Sequence, residues 1–136
     1  MARQKKLDKT YMAIAYDISL LSISQRRAVG AVIVKDNNIL SFGFNGTPSG
    51  MDNKCEDDAN VTLPNVLHAE SNAIAKVAQS TQSSSGAMLY TTLSPCIECA
   101  KLIIQAGIVR VIYSDTYRNI EGLKLLTDCN IKVDTL

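Results

Sequence analysis

The chain has 136 residues, 46% hydrophobic and 20% charged, with a formal net charge of +1, the size and composition of one globular domain over residues 1–136. The near-neutral charge argues against a protein that tracks a nucleic-acid backbone, which needs a clustered basic surface. The longest apolar runs, such as Ala28 to Val34, are far too short to span a bilayer.

The basic start Met1 to Lys6 leads into an amphipathic pattern in which Leu7, Tyr11, Ile14, Ile18 and Leu21 recur every three or four residues, predicting a helix over Leu7 to Leu21. Neither a signal peptide nor a membrane anchor is expected there, which places the chain in the cytoplasm. The valine- and isoleucine-rich run Ala28 to Val34, the turn cluster Asp36-Asn37-Asn38 and the run Ile39 to Phe44 predict a β-hairpin. From Asn45 to Pro64 no period survives, and a loop this long inside a compact domain is usually functional.

His68 to Ala78 has helical spacing, and Ala87 to Leu93 reads as a strand after the Ser-rich break Gln79 to Gly86. Pro95 opens a helix with Ala100, Ile103 and Ile104 on its apolar face, and Gly107 closes it before the strand Val109 to Tyr113. Leu123 to Leu126 and Ile131 to Val133 add a short helix and a last strand. The sum is an α/β protein with helices on both faces of a five-stranded sheet; periodicity leaves strand order and direction open.

The cysteines are Cys55, Cys96, Cys99 and Cys129. In a reducing compartment such thiols stay free, which favours metal binding or redox chemistry over disulfides. His68-Ala69-Glu70 and Pro95-Cys96-Ile97-Glu98-Cys99 each open a predicted helix. His68, Cys96 and Cys99 then supply imidazole and thiolate donors, and three protein ligands leave the fourth zinc position for water. Helix starts favour the thiolate form. Glu70 stands close enough to serve as general acid and base without being a ligand.

Three readings compete with this one. Cys96 and Cys99 also fit a thioredoxin-like redox pair, His68 a satisfied core residue, and the cluster a structural zinc module closed by Cys55 or Cys129. The ordered combination His-x-Glu then Pro-Cys-x-x-Cys is nevertheless that of the zinc deaminases.

With these residues and the stretches Val29 to Val34, Gly43 to Gly50, His68 to Ile74 and Ser94 to Gly107, the chain resembles the deoxycytidylate (dCMP) deaminase family. The resemblance implies the three-layer α/β/α cytidine deaminase-like sandwich with a mixed sheet. It also implies Zn2+-dependent hydrolysis of dCMP to dUMP and ammonia, supplying thymidylate synthesis. The backbone near Ala69 and Ser94 would read the base, and Asn45 would hold the sugar, although Asn-Gly is also an ordinary turn. Arg26 or Arg27, with Tyr117, are the nearest donors for phosphate, against the plain reading of solvated arginines.

The family further implies a homohexamer activated by dCTP and inhibited by dTTP. Gly43, Phe44, Gly46, Thr47, Pro48 and Gly50 would contribute to the allosteric pocket, with Mg2+ accompanying a bound triphosphate; the same residues would suit a tight surface turn. Relatives with a second zinc carry extra Cys and His before the His-x-Glu segment, where this chain has only Cys55, so one zinc is expected. The alternative substrates are another nucleoside, a free base or a tRNA adenosine.

Overall fold

The structure is a computed structural model and describes residues 2–136; Met1, the first residue of the basic start, lies outside them. Helix α1 runs over Ala2–Ser19, longer at its start and shorter at its end than the apolar stripe predicts. Its first turns, Ala2 to Lys6, are good helix formers without an apolar face, so propensity extends the helix where periodicity is silent. Leu21, read as the stripe's last member, instead lies beyond the helix and is exposed.

Strands β1 (Gly30–Lys35) and β2 (Asn38–Phe44) form the expected hairpin. Asp36 and Asn37 take positive φ at its two-residue turn, a conformation that Asn and Asp tolerate. Next come α2 (Ala69–Ala78), β3 (Met88–Leu93), α3 (Ile97–Gln105), β4 (Arg110–Asp115), α4 (Glu121–Asp128) and β5 (Lys132–Thr135). The sheet order is β2-β1-β3-β4-β5. β1 is antiparallel to both its neighbours, while β3, β4 and β5 are parallel through the α3 and α4 crossovers.

Alternation along the central strands feeds both faces of this mixed sheet. Ala31, Ile33, Leu89 and Val111 face α2, α3 and α4, meeting Ala73, Val77, Ala100, Ile103 and Leu126. Val32, Val34, Tyr90 and Ile112 face α1, meeting Tyr11, Met12 and Ala15. The result is the three-layer α/β/α sandwich of the cytidine deaminase type.

A polar staple fastens α1 to the sheet. Arg110 donates to both carboxylate oxygens of Asp8 at 2.9 Å and to Asp134 at 2.8 Å, and Tyr90 donates to Asp8 at 2.6 Å. Burial would raise the Asp8 carboxyl, but these bonds, one from Gln4 and the guanidinium charge outweigh it and hold the carboxyl at about 2.

The topology also fixes where a site forms. The C-terminal ends of β2, β3 and β4 and the N-terminal end of β1 share one edge of the sheet. In open α/β sheets, ligands bind beyond the carboxyl ends of the strands.

Candidate active site

Two helix N-termini meet at that edge. His68 is the extended residue before α2 (φ −75°, ψ 158°) and Cys96 the extended residue before α3 (φ −72°, ψ 171°), so the helices start one and two residues later than the sequence pattern suggests. Neither side chain caps its own helix; each turns toward the other segment instead. His68 Nδ1 lies 3.3 Å from Cys99 Sγ and 3.4 Å from Cys96 Sγ, and the three donor atoms lie within 4.8 Å of one another.

A tetrahedral zinc, with bonds of about 2.0–2.1 Å to nitrogen and 2.3 Å to sulfur, sets such donors about 3.6 Å apart. The observed spacing and the donor chemistry fit that ion. The Cys99 thiol, together with the His68 ring, holds the Cys96 thiol down at about 3; the same contact and burial push the Cys99 thiol up. The hydrogen bond with Cys96 raises the His68 ring above its ordinary value.

Among the described residues, Cys55 and Cys129 have no part in this cluster. Cys55 is buried in the loop after β2, and Cys129 is exposed at the end of α4. That placement brings no fourth cysteine to the cluster, and the His68 ring stands within 3.4 Å of both thiols, as a metal-ligand set requires and a simple redox pair does not. Glu70, in the first turn of α2, is 4% exposed, and burial pushes its carboxyl up to about 7. A carboxyl poised near neutrality both takes and gives protons.

A cavity of about 230 Å³ opens over these groups, with His68, Glu70 and Cys96 in its floor. Arg26, Arg27, Asn45, Ala69, Ser94 and Tyr117 all line it, so the structure gathers every substrate-side residue named from the sequence. Their hydrogen bonds refine those expectations. The Asn45 amide accepts from Val29 N–H at 2.9 Å and donates to the Arg27 carbonyl at 2.6 Å, shaping the wall as well as facing the cavity. The Ser94 N–H donates to the Asp115 carbonyl, while Ser94 Oγ accepts from Tyr117 N–H at 2.6 Å. Arg27 is engaged with Asp115 at 2.6 Å, whereas Arg26 reaches only Thr62 Oγ1 at 3.2 Å.

The glycine-rich loop divides. Gly43 lies in β2, where a Cβ would meet the Ala69 carbonyl and stand 2.6 Å from Ala73 N, so its bareness lets α2 sit on the sheet. Gly46 is buried and exchanges backbone hydrogen bonds with Leu67, and Phe44 lies near the Lys76 ammonium. Thr47 and Pro48 are half-buried, and Gly50 is exposed at φ 92°.

The residue that sequence reading missed is Glu56. It is 6% exposed, and it accepts from Ser24 Oγ at 2.7 Å and from the backbone N–H groups of Gln25 and Arg26 at 3.1 and 3.2 Å. These donors, Ser24 first, hold its carboxyl below the usual range. Its partners lie some thirty residues upstream, and no local signal in the loop announces such a pairing.

The family described as "Cytidine and deoxycytidylate deaminase zinc-binding region" matches residues 5–115. Deoxycytidylate deaminase of Enterobacteria phage T4 is 33% identical over an alignment of 149 residues covering 79% of this chain and 77% of its own length. Human deoxycytidylate deaminase is 39% identical over 122 residues, and "ComE operon protein 2" of Bacillus subtilis 37% over 112. These alignments cover 80% and 79% of this chain, which spans 65% of the human protein and 59% of the Bacillus one. The crystal structure of dCMP deaminase from cyanophage S-TIM5 with dCMP and dUMP superimposes with a TM-score of 0.94 at 42% identity, covering 96% of this chain and 97% of that one.

Proposed function

Because the chain belongs to the cytidine and deoxycytidylate deaminase zinc-binding family, we propose that it hydrolyses dCMP to dUMP and ammonia. One observation carries this reading: His68 and Cys96 of the three-donor cluster and the buried Glu70 line one cavity with Arg26, a cation left for a phosphate. The likeness to a phage enzyme solved with dCMP and dUMP, over nearly the full length of both chains, supports the same substrate.

Zinc, when held by His68, Cys96 and Cys99, supplies the charge that brings the pKa of a water to about 7. The protein does the rest. Glu70 takes the first proton as the water oxygen bonds to C4 and gives it to N3 of the cytosine, then takes the second from the C4 hydroxyl and gives it to the amine as the C4–N bond breaks, so that one water is consumed and one ammonia released. The Ala69 N–H, unpaired at the first turn of α2, and the Ser94 carbonyl present a donor and an acceptor to the base edge. Asn45 contacts the deoxyribose, and Arg26 with Tyr117 receives the phosphate.

The charge of +1 supports a mononucleotide substrate over a tRNA adenosine, and Arg26 supports dCMP over a free nucleoside or base. The product would supply thymidylate synthesis in the cytoplasm. Among the described residues, no helix is long and apolar enough to cross a membrane. A homohexamer activated by dCTP with Mg2+ and inhibited by dTTP belongs to the same reading, with the exposed Gly50 and the half-buried Thr47 and Pro48 meeting the effector and Gly43, Phe44 and Gly46 seating the loop.

Purified zinc-loaded protein should release ammonia and dUMP from dCMP; no release would overturn the function. Unchanged rate and cooperativity with dCTP or dTTP would overturn the regulation alone.

A further inference from the structure

The segment between α1 and β1 carries Arg26, the cavity-lining cation that has no carboxylate partner among the described residues, yet it has neither helix nor strand to hold it. Its order comes from across the chain. Asn45 clamps its far end at Arg27 and Val29, and the Asn45 carbonyl accepts from Ser22 Oγ at 2.8 Å. The near end is held by a miniature hairpin within the long loop after β2. There, Leu63 N–H donates to the Cys55 carbonyl, Asp57 N–H donates to the Val61 carbonyl, and Glu56 pairs with Thr62.

That hairpin touches Arg26 twice. The Glu56 carboxylate takes the Arg26 backbone N–H at 3.2 Å, and the Thr62 hydroxyl accepts from the guanidinium, also at 3.2 Å. Glu56 spends its charge on a hydroxyl and two backbone amides; its side-chain bonds include none to the guanidinium. It therefore fixes the path of the chain at Arg26 without capping the cation. Asp57 stiffens the device by accepting the N–H groups of Ala59 and Val61, each at 2.9 Å, within its turn.

We infer that Glu56, with Thr62, is a positioning residue for substrate selection: it aims Arg26 at the 5′-phosphate and so sets the preference for a nucleotide over a nucleoside. This rests on dCMP being the substrate. Glu56 stands outside the cavity lining, so its effect passes through the segment it holds, in which Ser24 and Arg26 line the cavity and Arg26 carries the charge.

The chemistry makes Glu56→Gln a sharp probe. An amide has one acceptor oxygen and no charge: its oxygen can keep the donors of Oε2, but its NH2 group then faces the Gln25 N–H, so the hold on the Gln25–Arg26 backbone is weakened while side-chain volume is kept. The expected result is a KM for dCMP raised about tenfold, with kcat within about twofold, zinc content unchanged and kcat/KM for deoxycytidine unchanged. Thr62→Val removes the guanidinium contact from the cavity wall at nearly constant volume and should raise the KM for dCMP by about threefold, with a smaller change for deoxycytidine.

Equal losses on dCMP and deoxycytidine, or no change on either, in folded and zinc-loaded variants would overturn the inference. If Glu56→Gln does not fold, Thr62→Val decides by the same comparison. Failure of the underlying reading looks different: the parent protein would then turn over deoxycytidine as well as dCMP.

Discussion

Glu70 and the three donors around it were legible in the sequence because each role is tied to a residue type at a fixed local spacing. His68 with Glu70 and Cys96 with Cys99 lie within one helical turn of each other, so local structure suffices to aim them. Glu70→Gln should keep the zinc and lose turnover by about 10²–10⁴-fold, since an amide cannot carry the proton. Metal content by elemental analysis beside initial rates tests this, and zinc loss would contradict a role outside the ligand shell. Cys99→Ser should release the metal, while Cys55→Ser and Cys129→Ser should keep both zinc and activity; zinc loss from either of the last two would revive the closed site. Glu56 was illegible because its partners, Ser24 to Arg26, come from a distant segment, and nothing in a loop acid's own neighbourhood separates a buried clamp from a solvated charge.

At the scale of elements, periodicity located the helices and strands but not their ends. α1 starts well before its apolar stripe because Ala2 to Lys6 is helical by propensity, and α2 and α3 start late because His68 and Cys96 stay extended to reach each other. The docking of α1 was also hidden: Asp8 reads as one more polar residue, yet it is 4% exposed beneath Arg110 and Tyr90. Its carboxyl has a pKa of about 2 in the fold against 3.8 unperturbed. A folded value below the unfolded one adds stability that is complete above the ordinary value and is lost as pH falls through the folded one. The group therefore contributes about 2 kcal/mol at neutral pH that disappears between about pH 4 and 2. Denaturant unfolding across that window should show this decline in the parent chain and a profile flatter by about 2 kcal/mol in Asp8→Asn; the same slope in both would contradict the staple.

For the whole molecule, a five-stranded α/β sandwich followed from counting apolar runs, but the order β2-β1-β3-β4-β5 did not, because strand pairing is a long-range choice that leaves no periodic trace. That order is what brings β1, β2, β3 and β4 to one edge and lets the segments after α1, β2, β3 and β4 enclose a single cavity. The metal donors alone support a deaminase; the cavity wall around Arg26 supports a nucleotide as its substrate. The measurement that separates these is steady-state deamination of dCMP and deoxycytidine by the same zinc-loaded protein. The account predicts a kcat/KM for dCMP at least about a hundredfold above that for deoxycytidine, the scale of one charge-assisted phosphate contact; equal values for the two would contradict it.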